Sequence, residues 1–188
     1  MRKVGVVVEN HSMFNGTQNP FEILGMEATF DVNLTALDAA YFARQSLAHP
    51  DRFIHHSEPE RQAATAQASS LNCAYETLKN PTTRAKALLI LKGIKIEGED
   101  GKSVQDHQVL EEMMDLQEAV VNANSPQEVS LIENQIQDRY QQITISFGQA
   151  LQKNLNQDLP GLFLRLTYLS KLKEDLKVRL NQASLKML

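Results

Sequence analysis

The sequence predicts an all-α protein, and three observations carry that prediction. Glycine (8) and proline (6) are scarce among the 188 residues, and tryptophan is absent. From residue 34 onward Leu, Ala, Gln, Glu and Lys dominate, residues that lose little freedom in a helix and so favour helices over strands. Apolar residues also recur at three- and four-residue steps between clear start and stop signals.

The chain opens on "MRKVGVVVENHSMFNGTQNP". Its apolar run, Val4 to Val8, is too short for a signal-peptide core or a membrane span, and it lacks the arginine-rich pattern of a transit peptide. Residues 1–17 are read as a poorly ordered extension, or at most a strand or strap lying on the domain.

Asn33 caps a predicted helix through "LTALDAAYFARQSLA", with Leu37, Ala40, Tyr41, Arg44 and Leu47 or Ala48 on one stripe. Pro50 stops it, because the ring disfavours helical backbone at the preceding residue and removes a donor. His49-Pro50-Asp51 therefore falls on an exposed loop. Ser57 and Glu60 make a capping box with Pro59 in the first turn. The helix they open should run to about Lys79 on the stripe Ala64, Ala68, Leu71, Ala74, Tyr75 and Leu78. A connection this short predicts an antiparallel hairpin with the loop at its tip. Asn80-Pro81 starts a shorter helix that ends at Gly93.

The stretch 94–106, "IKIEGEDGKSVQD", holds two glycines and four acids and is placed as a linker. Beyond it, a helix from about Gln105 to Asn124 carries two apolar rows: Val109, Met113, Leu116 and Val120, then Leu110, Met114 and Val121. Ser125 and Glu128 form a second capping box, opening a helix with Val129, Ile132, Tyr140, Ile143, Phe147 and Leu151 near heptad spacing. After "NLNQDLPG" a last helix presents Leu162, Leu166, Leu169, Leu176 and Leu180. These three helices predict an antiparallel bundle.

Charge and cysteine content narrow the function. A net charge of −4 leaves no basic surplus to neutralise phosphates, so nucleic acid is not an expected partner. One cysteine, Cys73, excludes an intrachain disulfide or a multi-cysteine metal site and suits a reducing cytoplasm. Its place in an apolar stretch marks it as a small core residue.

Taken alone, His49 and Asp51 can be read as an acid–base pair, but no nucleophile or glycine-rich phosphate loop accompanies them, and a docking loop is the better reading. A metal site from His49, His55 and His56 stays open, against the alternative of solvated loop histidines. The helix after residue 106 carries Glu111, Glu112, Asp115 and Glu118 and no lysine or arginine. The acids serve either as a solvated face compensating the helix dipole, or, with the second apolar row, as an apolar-acidic patch for a basic-rimmed protein partner.

A capped helix, His49-Pro50-Asp51, a longer helix containing "LNCAYETLKNPTTRAKALL" and a three-helix tail resemble the HscB family of J-domain co-chaperones over residues 18–188. "NPFEILGM" before the hairpin and NxAYxTLxxPxxRAxxLL, from Asn72 to Leu89, distinguish this family from general J proteins.

The resemblance implies an L-shaped, all-α molecule with a J domain over 18–93, a linker over 94–106 and a scaffold-binding bundle over 107–188. It also implies a non-enzymatic activator of an HscA-type chaperone ATPase that delivers the iron-sulfur scaffold IscU to it. His49, Pro50, Asp51, Arg44 and Arg52 would meet the chaperone, and Leu110, Met114, Asp115, Glu118 and Tyr168 the scaffold. The alternative is a J protein serving unfolded clients generally. No cofactor, resident metal or membrane is expected, and a bacterial cytoplasmic form is, because the paired-cysteine element of one organelle-type variant is missing from the N-terminal extension.

Three positions depart from the family pattern. Leu47 and Ala48 stand where a lysine and a tyrosine are common, which reduces the basic face to Arg44. Arg52 replaces a common lysine, and Glu111 stands where an apolar residue is frequent.

Overall fold

The computed structural model describes residues 18–96, 107–123 and 125–185, leaving aside the side chains of residues 50, 107–110, 126 and 179–185. The run Val4 to Val8 and most of the expected linker therefore lie outside the described residues. The helices are α1 (Pro20–Leu24), α2 (Leu34–Ala48), α3 (Glu58–Lys79), α4 (Pro81–Leu91), α5 (His107–Asn122), α6 (Pro126–Gln152) and α7 (Leu159–Leu185), with a 3-10 turn at Pro50–Phe53. Two compact units divide the chain, one reaching Ala87 and the other starting at Leu88. Among the described residues no helix is long and apolar enough to cross a membrane.

In the first unit, the Asn19 side chain accepts the Phe21 N–H at 3.0 Å to start α1. Gly25 ends it at φ +62°, a left-handed conformation that costs glycine little. The Gly25 N–H donates to Glu22 O at 3.0 Å and the Met26 N–H to Phe21 O at 2.8 Å, closing the paired bonds of a Schellman cap. Phe21 and Leu24 are thereby buried with Leu37 of α2 and Leu71, Ala74 and Leu78 of α3.

Asn33 caps α2 as expected, accepting the Ala36 N–H at 3.1 Å. The Tyr75 hydroxyl donates to Asp38 Oδ1 and the Tyr41 hydroxyl to Asn72 Oδ1, each at 2.8 Å. Partners fall along α3 as they rise along α2, so the hairpin is antiparallel. The two tyrosine rings stack between the helices at 4.3 Å, a contact worth roughly 0.5–1.5 kcal/mol beyond its area.

Arg84 fixes the base of this unit. It is 6% exposed and donates to three backbone carbonyls: Leu78 O at 2.6 Å, Phe30 O at 2.7 Å and Lys79 O at 3.2 Å. The guanidinium also lies 5.6 Å from the Phe30 ring centroid. One planar cation thus ties the loop before α2 to the end of α3, a task its fork of donors suits.

In the second unit, Leu116, Val120, Ile136, Leu169, Leu172 and Leu176 form the core of α5, α6 and α7. Arg165 of α7 pairs with Glu112 of α5 at 3.7 Å, and Tyr168 bonds Met113 at 2.7 Å. Both ladders rise together, so α5 and α7 run parallel with α6 returning between them. The expected capping box is present, with the Ser125 hydroxyl accepting the Glu128 N–H at 3.2 Å and Glu128 accepting the Ser125 N–H at 3.3 Å.

Some expectations need correction. The last helix begins at Leu159, one residue after Asp158 and ahead of the apolar row from Leu162, because Pro160 sits in its first turn, where a missing N–H costs nothing. Cys73 is half-buried rather than a core residue. Leu47 is 65% exposed while Ala48 is 2% exposed, which settles the α2 stripe on Ala48.

Candidate docking surfaces

The His-Pro-Asp turn is built from local chemistry. His49 leaves α2 at φ −60°, ψ 127°, the extended conformation that a following proline requires. Its carbonyl accepts the Arg52 N–H at 3.0 Å, and its ring Nδ1 accepts the Asp51 N–H at 3.3 Å. In the neutral ring that bond assigns Nδ1 as acceptor and leaves Nε2–H as the donor offered outward. The Asp51 carboxylate lies 3.5 Å from the same Nδ1, with side chains 50% (His49) and 79% (Asp51) exposed.

Arg52 stands beside this pair, its guanidinium donating to Ser46 O at 3.2 Å and satisfying a carbonyl that the end of α2 leaves open. His49, Asp51 and Arg52 are thus gathered on one turn at the hairpin tip. Arg44 is not gathered with them. It is half-buried, donates to Ala40 O at 3.4 Å, and its guanidinium fills the space where a Cβ on Gly25 would stand.

Of the other loop histidines, His55 is exposed and His56 has contacts of its own. His56 lies 3.5 Å from Glu60 and 5.1 Å from the Phe53 ring. Glu60 accepts the Ser57 hydroxyl at 2.6 Å and the Ser57 N–H at 2.9 Å. These bonds, the hydroxyl's foremost and His56's last, hold its carboxyl below the usual range. Among the described residues, no three His, Cys, Asp or Glu side chains gather so as to hold a metal ion.

In the second unit the two rows of α5 separate. Met113, Leu116 and Val120 are buried, whereas Met114 is 68% and Val121 55% exposed. Glu111, Asp115 and Glu118 are exposed beside them. Leu110 belongs to α5, but its side chain lies outside the described residues.

Tyr168 of α7 is half-buried. Its hydroxyl donates to Met113 O at 2.7 Å and lies 3.1 Å from Gln117 Oε1. Burial, and secondarily the Asp175 carboxylate, push the phenol upward. The bond to Met113 O places the Tyr168 hydroxyl on the backbone between the two rows. Gln117, which the sequence does not single out, joins it there. The arrangement offers a thioether and a valine in an anionic border, and a surface of that composition suits a partner with an apolar centre and basic rim.

Comparison with known proteins agrees with the architecture. Residues 105–177 match the family model described as HSCB C-terminal oligomerisation domain. The iron-sulfur cluster co-chaperone protein HscB of Mus musculus is 31% identical over 163 residues, covering 86% of this chain and 69% of the relative. The co-chaperone protein HscB homolog of Vibrio campbellii is 29% identical over 164 residues, covering 85% and 95%. The homolog of Colwellia psychrerythraea is 38% identical over 100 residues, which are 53% of this chain and 57% of that relative. Among solved structures, human co-chaperone HscB superposes with a TM-score of 0.81 at 27% identity, covering 87% of this chain and 82% of that one. Chaperone HscB from Vibrio cholerae gives 0.76 at 28% identity, covering 88% and 99%.

Proposed function

Because the chain belongs to the HscB co-chaperone family of iron-sulfur cluster assembly, we propose that it couples an IscU-type scaffold to an HscA-type chaperone and stimulates that chaperone's ATPase. The hairpin unit acts as the J domain and the bundle as the scaffold carrier. ATP hydrolysis takes place in the partner, and this chain supplies contacts rather than reacting groups.

The observation that carries this reading is the exposed Asp51 carboxylate on a turn already ordered by His49. A carboxylate meeting a partner arginine forms charge-assisted hydrogen bonds, roughly twice as strong as neutral ones. Because the Asp51 backbone is already held by the His49 ring, little backbone entropy is lost on docking. Arg52 adds a cation to the same contact, and Pro50 fixes the turn. Arg44 works one step back, holding Gly25 and α1 against α2.

On the bundle, Leu110, Met114, Asp115 and Glu118, with Tyr168 beside them, form the scaffold contact. The two partners then bind different units of one chain and need not compete. We assign the pair to the cytoplasm, with a dedicated chaperone.

The test is to mix chaperone, ATP and scaffold and pass them over a sizing column with and without this protein. The reading expects more scaffold to travel with the chaperone when the protein is present. Equal co-migration in both runs overturns it.

A further inference from the structure

The outward face of α2 carries no charge. Ala36, Ala39, Phe42, Ala43, Ser46 and Leu47 are all exposed, Phe42 to 62% and Leu47 to 65%. Solvent-facing helix surfaces normally carry lysines and glutamates. The two charges that α2 does possess are turned inward: Asp38 accepts the Tyr75 hydroxyl at 2.8 Å, and Arg44 lies on Gly25. The neighbouring α3 has no charged residue from Gln62 to Tyr75. Charge on this hairpin is therefore confined to its tip and its base.

The uncharged face is continuous with the docking turn. Leu47 stands two residues before His49, and Ile54, 58% exposed, follows the turn on its other side. A partner that closes on Asp51 therefore has exposed Leu47 and Ile54 close at hand.

We propose that α2 meets the chaperone through this uncharged face, against an apolar patch next to the site that takes Asp51, rather than through the ion pairs a charged α2 would use. The inference rests on the reading above and specifies the chemistry of its partner. Alanines at 36, 39 and 43 let the surfaces approach closely, and Phe42 and Leu47 flank them with side chains able to lose most of their exposed area. An interface of this kind responds little to ionic strength, since salt screens charges and not apolar contact.

The experiment is a titration of the cognate chaperone's steady-state ATPase with full-length protein, wild type and three variants: Phe42→Ala with Leu47→Ala, Ala43→Glu, and His49→Gln. The double variant should raise the half-maximal concentration about tenfold, in line with loss of two apolar anchors. Ala43→Glu removes no native contact of the monomer and should do the same by burying a charge. The factor by which the double variant raises the half-maximal concentration should change less than about twofold between about 50 and about 500 mM salt, because the contacts it removes are apolar. Wild-type behaviour of both α2 variants while His49→Gln loses stimulation overturns the inference and leaves the docking turn standing. An effect of the double variant that fades steeply as salt rises overturns it too. No stimulation by the wild type sinks both readings together. A wild-type dimer in sedimentation that the double variant dissolves assigns the face to a second copy and also overturns the inference.

Discussion

The backbone N–H of Asp51 donates to the imidazole Nδ1 of His49 at 3.3 Å, so the two outer residues of the His-Pro-Asp turn hold one another across the proline. The histidine is consequently both an ordering element and a donor. Replacement by asparagine keeps an acceptor near Nδ1 and removes the outward N–H. His49→Asn should therefore retain the turn and lose about tenfold in chaperone affinity, the value of one good hydrogen bond. Isothermal titration against the ATP-bound chaperone reads this, with wild-type affinity as the contrary result.

Arg84 binds three carbonyls from within the first unit. Its loss strands acceptors that water cannot reach, and Arg84→Met should cost about 3 kcal/mol of stability. Arg84→Lys should recover little, since one ammonium cannot span the fork. Urea denaturation followed by helical circular dichroism measures both.

Gly25 is needed twice, for its φ of +62° and because the Arg44 guanidinium occupies the Cβ position. Gly25→Ala should destabilise by about 1–3 kcal/mol. Adding Arg44→Ala should recover the steric part and leave the backbone part. A double-mutant cycle separates them, and strict additivity would deny the contact.

Met113 and Met114 are adjacent yet 8% and 68% exposed. Met113→Ala should lower stability by about 2–3 kcal/mol. Met114→Ala should leave it within about 0.5 kcal/mol and weaken scaffold binding about tenfold, since burying a methionine is worth about 1.5–3 kcal/mol. Equal losses of stability in the two variants would place both residues in the core.

The Tyr168 phenol is raised above 10.0 by burial and by Asp175. A group whose folded value is raised stabilises below its unfolded value and loses that contribution as pH climbs through the folded one. Wild type should exceed Tyr168→Phe by about 1 kcal/mol near neutrality, and the gap should close in alkali. A constant gap across the alkaline range would contradict the assignment.

What could be read from the sequence was mostly local. Caps at Asn33, Ser57 and Ser125, the stop at Pro50 and the two rows of α5 each depend on neighbours a few residues away, and the structure reproduces them. Features set by distant partners were not legible. Arg84 reaches Phe30 across 54 positions, and nothing in "NPTTRAKALL" marks that arginine as buried. Arg44 reads as a surface charge until α1 is placed against it. Ile136, Phe163 and Leu172 are buried although the apolar rows chosen by spacing skip them, because a bundle helix facing two neighbours buries a broader stripe than one heptad row. For Leu110, Met114, Asp115 and Glu118, the second apolar row was a signal in the sequence itself, whereas Tyr168 came only from the family resemblance, and its hydrogen bond to the Met113 carbonyl required the fold.

The most direct test of the central claim is the steady-state ATPase rate of the cognate HscA-type chaperone with scaffold present, measured with this protein and with its His49→Gln form. The account predicts stimulation by the wild type and its loss in a variant whose helical circular dichroism is unchanged. Equal stimulation by both forms, or none by either, would contradict it.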